Sequence, residues 1–215
     1  MHQLGAAHGY HHYFHTFSRN RINAQFGLAI FSKYPIVDQG LIRHPAFDKS
    51  SANNGIFVDL LVKGDTLRIV NVHLQSMSIL EEELTNPESC KTRTGMWPPP
   101  AHGFARRASQ VEGLLASQST CPHPVIVCGD FNDLPYSYTY LRMRSWLHSS
   151  FEDAGSGLGF TYNGKLFFLR IDNIFYHPAR LQALEYRVLR ALSYSDHFPI
   201  RARFAWRPAP QSRRR

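Results

Sequence analysis

Apolar side chains recur at every second position through much of this chain, so the pattern predicts strands before it predicts anything else. In Tyr10-His11-His12-Tyr13-Phe14-His15-Thr16-Phe17, alternation puts Tyr13 and His15 on one face and Phe14 on the other. Phe26–Phe31 is a short apolar run stopped by Ser32-Lys33-Tyr34-Pro35, as expected of a buried strand meeting a turn. Ile56–Val62 and Leu67–Leu74 flank Lys63-Gly64-Asp65-Thr66, where Gly64 supplies the positive φ of a tight hairpin. Residues 77–100, with Glu81-Glu82-Glu83 and a triple proline, read as a long surface loop. Phe104, Ala108, Val111 and Leu115 then recur at helical spacing, with Arg106, Arg107 and Gln110 off the stripe. Pro124–Cys128 is a continuous apolar strand, and Tyr138–Leu147 a short helix. Strands are expected at 165–169 with 171–176, at 184–189 and at 198–204. One firm helix among many strands argues for layered sheets with helices outside, and against βαβ alternation.

Polar groups sit where these apolar strands end. In Val70-Asn71-Val72-His73-Leu74, Asn71 and His73 share the face opposite the valines. Val125-Ile126-Val127-Cys128-Gly129-Asp130-Phe131-Asn132-Asp133 runs from a dry strand into carboxylates and an amide; if it stays extended, Asp130 and Asn132 face the same way. The simpler alternative is an Asx turn closing the strand. Arg170-Ile171-Asp172-Asn173 places an acid inside a segment patterned for burial, and Ser195-Asp196-His197-Phe198-Pro199 sets Asp beside His. A buried acid needs a partner, so Asp172 is placed to orient an imidazole. Any one of these motifs reads equally well as structure. Four strand ends sharing one vocabulary of Asp, Asn and His point to phosphoryl transfer, which needs charge neutralised on the phosphate and a water activated in line. No Gly-rich phosphate loop or nucleophile elbow offers a rival mechanism.

Composition changes this little. The formal charge is +8, but Arg207, Arg213, Arg214 and Arg215 supply half of it near the C-terminus. The remainder suits any phosphate-bearing substrate and falls short of a nucleic-acid stripe. Cys90, Cys121 and Cys128 show no C-x-x-C spacing, so neither a disulfide framework nor a zinc site is expected, and Cys128 reads as a small core thiol. The early histidines lack acidic partners and read as a solvated or edge-strand face rather than a metal cluster. With no apolar run of membrane length and no signal-like start, a cytoplasmic monomer is expected.

Asn71-Val72-His73-Leu74, Gly129-Asp130-Phe131-Asn132, Arg170-Ile171-Asp172 and Ser195-Asp196-His197-Phe198-Pro199, in that order, resemble the endonuclease/exonuclease/phosphatase superfamily. That superfamily includes pancreatic deoxyribonuclease, apurinic-site endonucleases, inositol polyphosphate 5-phosphatases and neutral sphingomyelinases. The resemblance covers roughly residues 10–205 and is nearest to bacterial members of unassigned substrate. It implies an α+β fold, a four-layer α/β/β/α sandwich of two packed, mainly antiparallel sheets, as a domain over residues 1–205 followed by a basic disordered tail, 206–215. It implies a phosphodiesterase or nuclease in which Asp130 activates water and Asn132 holds the phosphate. His197 would stabilise phosphoryl oxygens with Asp172 behind it, His73 would contact phosphate or the leaving group, and Asn71 would help bind substrate. Asp196 and Asp130 would bind Mg2+, or Mn2+ in its place. The partner implied is a phosphate-ester substrate, nucleic acid among the candidates. The same fold also serves phospholipid or phosphoinositide hydrolysis, for which Phe131, Tyr136 and Tyr138 either line an apolar entrance or, more simply, pack the core. Family members also begin with a strand ending in Asn and a second ending in Gln-Glu, whose Glu is the main metal ligand. No Gln-Glu dipeptide occurs here. The expectation is therefore a domain lacking its N-terminal strands, with an inactive remnant as the third reading, and with membrane attachment if spans precede the domain.

Overall fold

The computed structural model describes residues 8–19, 25–47, 51–76 and 100–208. At its centre lies a six-stranded sheet of order β3 (Ile36–Leu41), β4 (Gly55–Val62), β5 (Asp65–His73), β6 (Val125–Asp130), β8 (Asp172–Tyr176) and β7 (His148–Ser149). Two antiparallel pairs form a second β-layer: β1 (His11–Arg19) with β2 (Gln25–Ser32), and β9 (Leu181–Val188) with β10 (Ile200–Trp206). Helices α1 (Pro100–Gln118) and α2 (Tyr138–Arg144) cover the other face of the large sheet, and a short α3 (Ser150–Ala154) follows β7. The protein is thus a mixed α/β sandwich with two packed β-layers.

Period-two alternation builds both cores. Val70, Val72, Leu74, Val125, Val127 and Phe175 face the helices and pack on Val111, Leu114, Met143 and Leu147. Leu114 is fully buried, and its loss to alanine would cost ~2–5 kcal/mol. The opposite face carries Ile56, Val58 and Leu60 against Phe17 and Ile30 of the first pair, and Ile126, Ile174 and Tyr176 against Leu181, Ala183 and Tyr186 of the second. Trp206 packs against both of these clusters. The β4–β5 hairpin turns through Lys63 and Gly64, both at positive φ (54° and 94°), the geometry that matches strand twist in a two-residue turn.

Several expectations change. The 165–169 strand is a turn closed by Leu169 N–H donating to Leu166 O at 3.1 Å, because Phe167 and Phe168 lie outward and leave no alternating face to bury. The strand pairing is mainly antiparallel, as expected; the exception is β5 with β6, which pair in parallel across a crossover that contains α1, as parallel neighbours require. On α1, Phe104 is exposed, whereas Arg107 and Gln110 are buried, since this end of the helix faces polar loops rather than the apolar core. On β2, Ile30 is buried and Leu28 partly so, whereas Phe31 on the opposite face and Phe26 at the start of the strand are exposed. Cys121 and Cys128 are free, and burial pushes the Cys128 thiol up to about 11. Cys90, the 77–99 segment and its three glutamates lie outside the described residues.

Candidate active site

The inter-layer face of the large sheet is apolar along most of its length and polar at one end. Leu67 and Ile69 on β5, Ile126 and Cys128 on β6, and Ile174 and Tyr176 on β8 fill the core between the layers. Continued to the strand ends, the same alternation places His73 four residues past Ile69, Asp130 two past Cys128 and Asp172 two before Ile174. Register aligns them: His73 is opposite Asp130 across the parallel pair, and Asp130 is opposite Asp172 across the antiparallel pair. Three adjacent strands, β5, β6 and β8, therefore present His, Asp and Asp in one row.

His197 completes the row from the segment between β9 and β10. Its Nδ1 lies 2.8 Å from Asp172 Oδ2, and an isolated bridge between Tyr162 and His197 ties this segment to the one preceding β8. Thr161 Oγ1 accepts from the backbone N–H groups of Ile171 and Asp172, both at 3.1 Å, and so fixes the entry to β8. Asp130, Asp172 and His197 each offer a ligand atom within 4.8 Å of the others, the one such metal-competent group among the described residues. His73 Nε2 is 3.6 Å from Asp130 Oδ2 on the far side, while its Nδ1 lies 3.3 Å from Ala52 O.

The charges shift accordingly. Burial first, then the neighbouring Asp172, lifts the Asp130 carboxyl from 3.8 to about 6, against the opposing pull of the Asn132 N–H and both imidazoles. The hydrogen bond to Asp172 raises His197 from 6.5 to about 9, outweighing its desolvation. At neutral pH His197 is thus a cation held by Asp172, and Asp130 is a carboxylate that readily takes a proton.

Asn132 is not extended. The strand ends at Asp130, Asn132 turns at φ 50°, and its N–H donates to Asp130 Oδ1 at 2.8 Å, an Asx turn. The turn still joins amide to acid, because Asn132 Nδ2 donates to Asp130 Oδ2 and to Leu74 O, each at 3.0 Å. Gly129 precedes it at φ 134°, where a Cβ would stand 1.9 Å from Val72 O; only glycine fits this approach. Asn71 shares the inner face, but its Nδ2 donates to Ala29 O at 3.1 Å and staples the two β-layers. Asp196 is exposed, accepts from Ser195 Oγ at 3.1 Å, and is not brought into the Asp130–Asp172–His197 group. Phe131 is core, edge-on to Phe175, whereas Tyr136 and Tyr138 are exposed.

A brace beneath the row was not anticipated. Arg107, fully buried, donates from Nε to Asp133 at 3.1 Å and from a terminal nitrogen to Gln75 O at 2.9 Å. Gln110 Oε1 accepts from Gln75 N–H at 2.8 Å, and its Nε2 reaches Asn53 O at 3.4 Å. Asn53 adjoins Ala52, which lies against His73, and Asp133 adjoins Asn132. One helix thus holds both loops that carry the row. The polar pair Arg107 and Gln110, three apart on a helix otherwise patterned for burial, was the available sequence signal.

A model of the endonuclease/exonuclease/phosphatase family matches residues 1–197. No curated protein sequence matches the chain. Among solved structures, the chain is similar to a functionally unknown conserved protein from Enterococcus faecalis, with 16% identity and a TM-score of 0.68 over 96% of this chain and 81% of that one. The catalytic domain of human Nocturnin with bound sulfate shows 22% identity and a TM-score of 0.68, over 96% and 76%. A mannosyl-6-phosphatase from Bacteroides thetaiotaomicron shows 19% identity and a TM-score of 0.59, over 92% and 77%. At these identities the likeness is one of fold.

Proposed function

Because the chain belongs to the endonuclease/exonuclease/phosphatase family, we propose that it is a metal-dependent phosphodiesterase in which Asp130 activates the attacking water. The observation that carries this reading is the row itself: two half-buried carboxylates in register, one imidazolium beside them and a second imidazole across the row. A carboxyl lifted to about 6 accepts a proton near neutral pH without being protonated there at rest. Asn132 holds that carboxylate from two sides and, where the phosphate lies against it, orients the phosphate. His197, oriented by Asp172, donates to a phosphoryl oxygen as charge builds there. His73 stands across Asp130 from that pair and serves the phosphate or the leaving group.

Two carboxylates facing one imidazole leave a negative excess that a divalent cation suits, so Asp130 and Asp172 would hold Mg2+ or Mn2+. Bound there, the cation would supply charge neutralisation at the phosphoryl oxygens. The domain extends through β10, since Trp206 packs in the core and Arg207 N–H donates to Arg180 O, with a basic tail beyond. The row acts on the phosphodiester, and the rim around it selects the carrier.

The test is hydrolysis of bis-p-nitrophenyl phosphate with Mg2+ by the parent chain and by the Asp130→Asn and His197→Ala variants. Both variants should lose turnover; unchanged rates in either would sink the reading.

A further inference from the structure

Three loops leave the row, and each carries large apolar side chains into solvent. Leu134 and Tyr136 follow Asp130, Phe167 and Phe168 precede Asp172, and Leu192 and Tyr194 precede His197. Tyr194 is 96%, Tyr136 81% and Phe167 64% exposed. Single exposed apolar residues are ordinary on any surface, but a group on loops that converge on one site marks an interaction face.

Convergence is set by the hydrogen bonds between loops. Asn163 N–H donates to Asp196 O at 2.7 Å, Phe198 N–H to Thr161 O at 2.7 Å, and Phe131 N–H to Ile171 O at 2.9 Å. Arg190 reaches Phe160 O at 3.3 Å from the third loop to the second. The loops are therefore stitched together beside the row, and each carries exposed apolar side chains. Tyr136 is held at φ 71°, a conformation that costs a non-glycine residue energy and that here accompanies a solvent-exposed ring.

Charge distinguishes the occupants. Across residues 131–138, 155–171 and 189–199 the carboxylates are Asp133, buried against Arg107, and Asp196 beside the row. The cations of these loops are Lys165, Arg170 and Arg190; Arg170 is buried, and the other two are exposed. An apolar rim with cations and a single exposed acid complements a surface that is apolar inside and anionic outside. Nucleic acid would want a longer basic track, and the two leucines cannot stack on bases. We propose that this rim docks on an anionic lipid bilayer, so that the phosphate esters reaching the row are those of lipid headgroups. The naming of the substrate rests on the phosphodiesterase reading above; the docking does not.

Co-sedimentation of the full chain with vesicles needs no turnover, so it separates the two. The chain should sediment with vesicles of mixed phosphatidylcholine and phosphatidylserine, and less with phosphatidylcholine alone or in high salt. The triple variant Tyr136→Ser, Phe167→Ser, Tyr194→Ser should lose at least about tenfold in vesicle partitioning. Leu184→Ser, an exposed apolar residue on β9 outside these loops, should partition like the parent. Should the triple variant unfold, the single variants and the salt dependence of the parent carry the same test. Equal partitioning of parent and rim variants would overturn the proposal. So would equal binding to neutral and anionic vesicles, or binding of a single-stranded oligonucleotide in place of vesicles. Loss of hydrolysis with vesicle binding intact would instead count against the phosphodiesterase reading.

Discussion

Carboxylates withdrawn from solvent occupy two kinds of place in this fold. Asp59 accepts both arms of the Arg68 guanidinium at 2.7 Å, and Asp133 accepts from fully buried Arg107. Each acid there has its own cation, so charge balances within the chain. In the row, Asp130 and Asp172 share His197, with His73 at 3.6 Å, and Asp130 answers by holding its proton up to about 6. The first arrangement braces a strand pair and a loop in position, and the second waits for charge from outside. That difference in balance, together with the partial exposure of Asp130 and Asp172, separates an acid that positions from an acid that reacts.

The comparison predicts opposite responses to losing one member. Removing the Asp130 charge by Asp130→Asn should lower turnover on a soluble diester by about 10²–10⁴-fold, read from initial rates, with the fold kept. Removing Arg107 by Arg107→Met should instead strand Asp133 and cost about 3–5 kcal/mol in urea unfolding. The double variant Arg107→Met with Asp133→Leu should recover most of that cost; no recovery would mean that the Gln75 contact, not the ion pair, is what matters.

Stability against pH sharpens the contrast. The Asp130 carboxyl binds its proton more tightly when folded, so the stability this lends is complete below its ordinary 3.8 and is lost as pH rises through about 6. Asp130→Asn escapes that loss. Its melting temperature should exceed the parent's near pH 7, and this advantage should vanish by about pH 4. His197 has the same sign in a higher window: its contribution is whole below 6.5 and fades as pH rises through about 9. The Asp172→Asn variant should lack that alkaline decline. The rate profile should be a bell, falling below about 6 as Asp130 protonates and above about 9 as His197 loses its proton. A flat profile would show that neither group acts in the form assigned to it.

Much of the row was legible beforehand because its members end apolar strands, and alternation fixed their common face. Asn71 with His73, and Asp172 at the head of β8, needed only period two. What one strand cannot reveal is its neighbour: that His73 aligns with Asp130 depends on the β5–β6 pairing being parallel, which a crossover through α1 sets and local pattern does not. For Asn132 the sequence left an extended strand and an Asx turn open; the fold takes the Asx turn, which also returns an amide to the acid two residues back. Arg107 was hidden for a different reason. Helical periodicity sorts apolar from polar, and a buried arginine whose partners lie on two distant loops reads as a surface residue. The same sorting left Phe104 facing inward on paper and outward in the fold.

The most direct test is calorimetric titration of Mg2+ into the chain near pH 6, with proton release followed in buffers of different ionisation enthalpy. If the negative excess of the row is a cation site, one ion should bind, protons should be released as Asp130 ionises, and both effects should disappear in Asp130→Asn. Binding of equal strength in the variant, or no binding in the parent, would contradict the assignment of the row as a metal-dependent site.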